Sequence, residues 1–466
     1  MVRLAVGLFA ALLVLGAEDP VLDRVAAHAD RFGAIAREIW KSPELAFRER
    51  KSSALLRDEL AQNGFTIESG VAGMPTAFTA TFGHGKPIIA ILGEFDALPG
   101  LSQKAVPRRE PAVEGAPGHG CGHNLLGSAA ALAAVAIKEE MDARKLPGTI
   151  RFYGTPAEEG GGGKIYMVHA GLFRDVDVAL TWHPGGTNGV DLRSSLANAS
   201  ARFRFYGTAA HAAMNPDKGR SALDAVMVMT HAVELMREHV PQETRIHYII
   251  TNGGSASNIV PAFAEISLTA RHPDANTLAG IWARIVKCAE AGALATETRF
   301  ELGAVSGYAN TLPNDALAAL VGRNLRKAGG YTYTPDERQF ADEIRKSFSA
   351  PVQEPGPETV VVEKTEGAYA ASTDVGDVSW NLPTLSFGAA TYVPGTPAHS
   401  WQSAACAGTT IGQKGMLVAA RTLALSAVDL LEHPAEVDAA RESFDKRRAG
   451  RTWKTPIATD AKPPLR

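Results

Sequence analysis

The run Pro87-Ile-Ile-Ala-Ile-Leu-Gly93 has the length of one strand and no polar position on either face. A strand with one wet face alternates apolar and polar residues, so an unbroken apolar run predicts a strand covered on both sides. Further on, Asn124 is the expected cap of a helix that continues through Leu125, Leu126, Leu132, Val135 and Ile137 to Met141. That helix is apolar on most of its sides and must also be covered. Thr149 to Tyr153 and Val176 to Trp182 read as further strands. Strands and buried helices in alternation predict an α/β domain on a central, largely parallel sheet. Ahead of it, residues 20–63 have amphipathic helical spacing, broken at Pro43.

Near residue 195 the pattern changes. Ala201 to Phe205 alternates apolar and basic residues. A helix is expected over 221–239, strands over 245–252 and 264–271, and a second helix over 278–294. These make a small α+β layer, so 195–305 reads as a domain inserted into the first, which comprises 18–194 and 306–447. The first domain ends in a helix over 414–431. The polar, Pro/Glu-rich stretch 336–370 reads as a surface excursion, and 448–466 as a poorly ordered tail. At 466 residues the chain has room for this plan.

Arg3 is followed by apolar or small residues from Leu4 to Leu15, then by Gly16-Ala17 before the acidic pair Glu18-Asp19. That is the form of a secretory signal peptide over 1–17, and the run is short for a bilayer span. A periplasmic or secreted protein is expected; a buried N-terminal helix or an anchor, with a cytoplasmic protein, is the other reading. No other run has the length and freedom from charge of a membrane helix, so no stable membrane partner is expected. The net charge of −3, with no dominant basic run, points away from nucleic acid. Cys121, Cys288 and Cys406 are odd in number, which argues against a purely disulfide framework. A metal-bound thiolate would account for one of them. Cys288 and Cys406 read as inert buried thiols, with a disulfide between them as the alternative.

Three clusters each follow an expected strand, where open α/β sheets often carry ligands. Gly118-His-Gly-Cys-Gly-His-Asn124 sets Cys121 and His123 two apart, so both project to one side of an extended segment. Thiolate with imidazole suits zinc and related divalent metals. Thr155-Pro-Ala-Glu-Glu-Gly160 sets Glu158 and Glu159 on opposite sides of an extended stretch, one for a metal and one for the cleft. That division fits a general base beside a metal-activated water. Thr181-Trp-His-Pro184 ends an apolar strand on His183, and Gly395-Thr-Pro-Ala-His-Ser400 places His399 in a turn. Singly, each has a plain structural explanation: an acidic pair is usually a solvated turn, and a strand-end histidine a satisfied core residue. Together, Cys121, His123, Glu159, His183 and His399 exceed what one four-coordinate ion needs. Two divalent ions, zinc or manganese, would use all five, with Cys121 as a shared ligand and Glu158 left over as base. Two such ions carry about four positive charges against two from the ligands, which would leave the site cationic.

With these residues in view, the chain resembles the M20 metallopeptidase family, in its amidohydrolase branch with a cysteine ligand. The motifs that carry the resemblance are Gly93-Glu-Phe-Asp-Ala-Leu-Pro99, His119-Gly-Cys-Gly-His-Asn124, Gly154-Thr-Pro-Ala-Glu-Glu159, Trp182-His-Pro184, Ala209-Ala-His-Ala-Ala213 and Ala398-His-Ser400. The resemblance covers nearly the whole chain after the leader. It implies a two-metal catalytic domain with an inserted dimerisation, or lid, domain. It implies hydrolysis of the amide bond of an N-acyl amino acid, aromatic-acyl substrates such as p-aminobenzoyl-glutamate first. Indoleacetyl or benzoyl amino acids and dipeptides are the alternatives. It assigns Cys121, His123, Glu159, His183 and His399 as metal ligands and Glu158 as base. It also implies that His211 reaches the site of a partner subunit to steady the oxyanion, and that Asn258 and Arg271 hold a substrate carboxylate. Many members have an early His-x-Asp motif; Glu94-Phe95-Asp96 stands in its place, so Asp96 reads as orienting a ligand rather than being one. A homodimer acting on a small molecule is expected. Two other classes stay open: a non-catalytic binding protein on this fold, and a thiol redox protein using Cys121.

Overall fold

The computed structural model describes residues 19–349, 356–364, 371–453 and 455–465; the expected leader, 1–17, lies outside them. Its strands are β1 (Thr66–Ser69), β2 (Phe78–His84), β3 (Ile88–Glu94), β4 (Gly148–Thr155), β5 (Val178–Gly185), β6 (Gly189–Asp191), β7 (Ala197–Tyr206), β8 (Arg245–Asn252), β9 (Phe263–His272), β10 (Arg299–Leu302), β11 (Ser306–Tyr308), β12 (Val362–Lys364) and β13 (Thr384–Ala390). Eight of them form one sheet in the order β1-β2-β4-β3-β5-β13-β6-β12. Its centre, β4-β3-β5-β13, is parallel throughout, while β1, β2 and β6 add antiparallel pairings towards the edges.

The apolar run at 87–93 supplies β3, every residue of which is buried. Ile89 and Ile91 enter a core on one face, while Ile88, Ala90 and Leu92 enter a second core on the other. The first core is filled by the helices His123–Arg144 and Thr410–Glu432, the second by Met74, Ile165 and Val378 among others. Polar residues anywhere in β3 would have faced one of these cores, which is why none occurs before its last position. The N-terminal helix Ala29–Lys41 packs Phe32, Ile35, Ala36 and Ile39 into the first core, the spacing of a single helical face.

The second sheet is antiparallel, β10-β7-β9-β8, with β11 also paired to β7. In β7, Ala197, Ala199, Ala201, Phe203 and Phe205 are buried in a separate core with the helices Ala222–Met236 and Ala275–Ala295. The alternate residues Arg202 and Arg204 pair instead with Glu265, at 2.7 and 2.9 Å. Period-two alternation here reports one covered face, in contrast to β3.

Two stretches differ from expectation. The polar segment from 336 does not open as an excursion: Thr334 and Glu337 form a capping box for the helix Pro335–Arg345, and β12 pairs with β6 at the sheet edge. The C-terminal tail is packed where it is described. The Trp453 indole donates to Asp377 Oδ1 at 2.9 Å, Arg451 reaches Asp274 at 3.2 Å, and Ile457 is buried in the second core. Aromatic and aliphatic side chains after a basic stretch gave the tail something to bury, which its Pro-rich composition hid. Among the described residues no helix is long and apolar enough to cross a membrane.

Candidate active site

The residues singled out at the ends of β3, β4 and β5 do converge, but turns bring them together rather than extended segments. Cys121 lies in a turn, and Gly122, with φ of 74°, leads directly into the helix His123–Arg144. A side chain at 122 would be strained, and its Cβ would sit 2.6 Å from the Tyr392 hydroxyl. Asn124 is therefore inside the helix rather than its cap, and its amide donates to the carbonyls of Ala36 and Ala407 at 3.3 and 3.2 Å. One turn on, Gly127 lets the helix close against β3, because a Cβ there would be 2.6 Å from the Glu94 carbonyl oxygen.

Glu158 and Glu159 also sit in a turn, just after β4. Ala157 before them has φ of 63°, a left-handed conformation unusual for alanine. Its N–H donates to Glu49 Oε1 at 3.0 Å, and the fully buried Glu49 also accepts from the Phe47 N–H and the Thr76 hydroxyl, both at 2.9 Å. From this anchored turn the two carboxylates part. Glu158 falls beside Glu94 and His123, and Glu159 beside Cys121 and His399.

The imidazoles of His123 and His183 present the same nitrogen. His183 Nδ1 lies 2.9 Å from the Pro184 carbonyl and His123 Nδ1 lies 2.9 Å from Asp96 Oδ1, partners that can only accept. Each Nδ1 therefore carries the proton and leaves Nε2 as the atom that could take a ligand. His183 Nε2 is 3.3 Å from Cys121 Sγ. Asp96 uses its second oxygen to accept the Glu159 N–H at 2.9 Å, so it orients one candidate ligand and steadies the backbone of another. His399, in a turn with φ of 51°, points Nε2 at Glu159 Oε1 across 3.5 Å. The donor atoms of Cys121, His123 and His183 all lie within 4.8 Å of one another, and so do those of Cys121, Glu159 and His399. The two sets share Cys121.

Three residues with no role in the sequence reading complete the cluster. Lys164 Nζ is fully buried, 2.6 Å from both Glu94 Oε1 and Asp374 Oδ1. Glu94 in turn stands 3.2 Å from His123 Nε2. Five carboxyl groups nearly removed from water, those of Glu94, Asp96, Glu158, Glu159 and Asp374, thus cluster here, two of them paired with the Lys164 ammonium. Where the sequence led to two anionic ligands, the structure sets five carboxyl groups and one ammonium around the centre, so two divalent ions would meet more acidic groups than the ligands alone supply. Burial, reinforced by the charges of Glu94 and Asp374, holds the Glu158 carboxyl well above the ordinary range. Burial also pushes the Cys121 thiol up, so an adjacent cation is needed to hold it as thiolate.

The remaining candidates lie on the second layer and make no hydrogen bond to this cluster. His211 is exposed, and its Nδ1 accepts the N–H groups of Ala213 and Met214 at 3.2 and 3.1 Å, leaving Nε2–H outward as a donor. The Asn258 carbonyl accepts the Ala212 N–H at 3.0 Å, which keeps Asn258 beside His211. Arg271, on β9, donates to the Ser372 hydroxyl at 3.2 Å. All three cysteines are free, and Cys288 and Cys406 belong to different cores, so these two do not pair.

Residues 90–424 match the model of peptidase family M20/M25/M40. The chain is 42 % identical over 435 residues to a subunit of the p-aminobenzoyl-glutamate hydrolase of Escherichia coli (strain K12), covering 88 % of this chain and 90 % of the relative. It is 30 % identical over 442 residues to Xaa-Arg dipeptidase of Mus musculus, covering 91 % and 90 %. Its fold is similar to the crystal structure of an aminobenzoyl-glutamate utilization protein from Klebsiella pneumoniae, with a TM-score of 0.63 and 19 % identity over 87 % of this chain and 97 % of that one.

Proposed function

The chain belongs to peptidase family M20/M25/M40 and is a hydrolase of amide bonds, and we propose that it is a two-metal amidohydrolase acting on N-acyl amino acids, aromatic-acyl glutamates such as p-aminobenzoyl-glutamate first. One observation carries the metal reading: two sets of three donors that share Cys121, with Glu158 in neither. The residues fit such a pair. His123 Nε2 and Glu159 Oε1 are buried polar atoms with no hydrogen-bond partner, which proteins rarely leave unsatisfied. The separations of 3.3 Å for Cys121–His183 and 3.5 Å for Glu159–His399 are those of neighbouring donors on one ion. Cys121, His123 and His183 would hold one ion, and Cys121, Glu159 and His399 the other. The thiolate favours zinc, with manganese as the alternative.

When bound, the ions supply Lewis acidity, polarising the amide carbonyl and acidifying water. The chain's own groups do the rest. Glu158 takes the proton of the attacking water and returns it to the leaving amine. Asp96 keeps His123 in one tautomer and orientation. Asn258 and Arg271 would grip the free carboxylate of the amino acid, which aligns the scissile bond. Chelation followed by metal return tests this reading. Cleavage of p-aminobenzoyl-glutamate, benzoyl amino acids and an Xaa-Arg dipeptide should vanish in EDTA and return with zinc or manganese. Undiminished cleavage after the metal content reaches zero would remove the two-metal mechanism.

We also propose a homodimer in which His211 serves the partner's site. The helix Ala222–Met236 exposes Met227, Val228 and Leu235, and the edge strand β8 exposes Ile249 and Ile250, apolar side chains that a partner subunit would cover. The outward Nε2–H of His211 is a donor suited to an oxyanion. Mixing His211→Ala with Glu158→Gln, each inactive alone, should recover activity, because a mixed dimer rebuilds one complete site. A mixture as inactive as its parts would place His211 outside any trans role.

A further inference from the structure

Glu94 ends β3 with a carboxylate that is 2 % exposed, and its two oxygens differ in their surroundings. Oε1 pairs with the Lys164 ammonium at 2.6 Å. Lys164 is itself fixed by Asp374, through its ammonium at 2.6 Å and its backbone N–H at 2.9 Å. Oε2 has no hydrogen-bond partner, and it faces His123 Nε2 at 3.2 Å, which has none either. Two buried polar atoms this close that do not bond to each other are costly unless a third atom satisfies both.

A single cation satisfies both. Nitrogen and oxygen donors bind such ions at about 2.0–2.2 Å, so two of them on one ion stand roughly 2.8–3.6 Å apart at right to tetrahedral angles. The Glu94–His123 separation of 3.2 Å lies in that range, as the 3.3 and 3.5 Å separations in the two donor sets do. The geometry points to Glu94 as a further metal ligand, contributing Oε2 to the ion that His123 binds while Lys164 and Asp374 hold its other oxygen. This rests on the two-metal reading of the site. It makes the two ions unequal. Donor atoms of His123 lie within 4.8 Å of those of Cys121 and His183 and, in a second set, of those of Glu94 and Glu158, so the ion on the His123 side would gain a carboxylate donor beside the imidazole. The ion on the His399 side would have three donors, with His399 itself 53 % exposed, which would leave a position open for substrate.

Cobalt titration separates the possibilities. Metal-free wild type and Glu94→Gln are titrated with cobalt(II), with calorimetry, counting of bound cobalt and visible spectra as readouts. Wild type should bind two ions per chain. Glu94→Gln should weaken one of them by about tenfold or more and shift the d–d bands, while the thiolate charge-transfer band from Cys121 persists. Lys164→Met breaks the same ion pair from the other end and should leave the d–d bands in place. The double variant Glu94→Gln with Lys164→Met removes both charges and gives the same reading if the single variants fold poorly. Unchanged affinity and spectrum in Glu94→Gln, or an identical shift in Lys164→Met, overturns the ligand assignment and leaves Glu94 as an ion-pair partner. A wild type that binds no cobalt defeats the two-metal reading itself, a result distinct from either.

Discussion

Glu158→Gln is expected to lower kcat for amide cleavage by about 10²–10⁴-fold, the usual contribution of a general base, while the protein keeps its full complement of metal. The substitution keeps the side chain's shape and hydrogen-bonding reach and removes only its capacity to take up a proton. Glu158 belongs to neither donor set built on Cys121, so its loss should not empty the site. Its place is set by the backbone: left-handed Ala157 is tied to Glu49, and the Tyr308 hydroxyl donates to the Glu158 carbonyl at 3.3 Å. Burial and the neighbouring charges of Glu94 and Asp374 raise its affinity for a proton, which suits a group that must hold one between attack and departure of the amine. KM should change less than kcat, because the lost interaction belongs to the transition state. Steady-state kinetics beside a metal count reads both. A variant within a few-fold of wild type would end the base assignment. A variant that loses metal together with activity would recast Glu158 as a ligand, through its proximity to Glu94 and His123.

The parts of this site that were legible in the sequence are those whose chemistry is rare and whose neighbours are short. Cys121 and His123 stand out because glycines flank them, and β3 because both its faces are buried, so its whole length carries one signal. β7 was equally plain, since one covered face forces strict alternation. What was not legible is of two kinds. Local geometry stays hidden where the residue type does not announce it: nothing about Ala157 signals a left-handed turn, and the Cys-x-His pair spans a turn and a helix start rather than a strand. Long-range pairing was invisible because it has no spacing to read. Lys164 and Asp374 are 210 residues apart, and each alone resembles a solvated surface charge. In the sequence Glu94 is only the residue standing where a histidine often does. Its unpartnered oxygen appears only once β3, the helix His123–Arg144 and the helix Gly163–His169 are packed together.

Cys121→Ala should cost the protein both ions at once, and His183→Ala only one. The difference follows from membership of the donor sets. Cys121 lies in both, whereas His183 lies in the first and His399 in the second. Removing the shared thiolate leaves His123 and His183, with the Glu94 carboxylate proposed above, on one side and only Glu159 and His399 on the other, so the His399 side falls below the three donors that hold a catalytic ion and the His123 side loses a donor as well. It also removes the one negative charge that both ions would share, so the remaining cations would repel each other with less between them. Bound metal in Cys121→Ala should fall well below one ion per chain after dialysis, with cleavage at background. His183→Ala should retain one ion, held through Glu159, His399 and Cys121. The fold should survive both changes, because neither side chain belongs to the two large aliphatic cores that hold the main sheet. A Cys121→Ala protein that keeps two ions would show that the thiol is a bystander in a site built by other donors. Equal losses in Cys121→Ala and His183→Ala would mean that the two ions bind only together, with no ligand shared in the sense proposed.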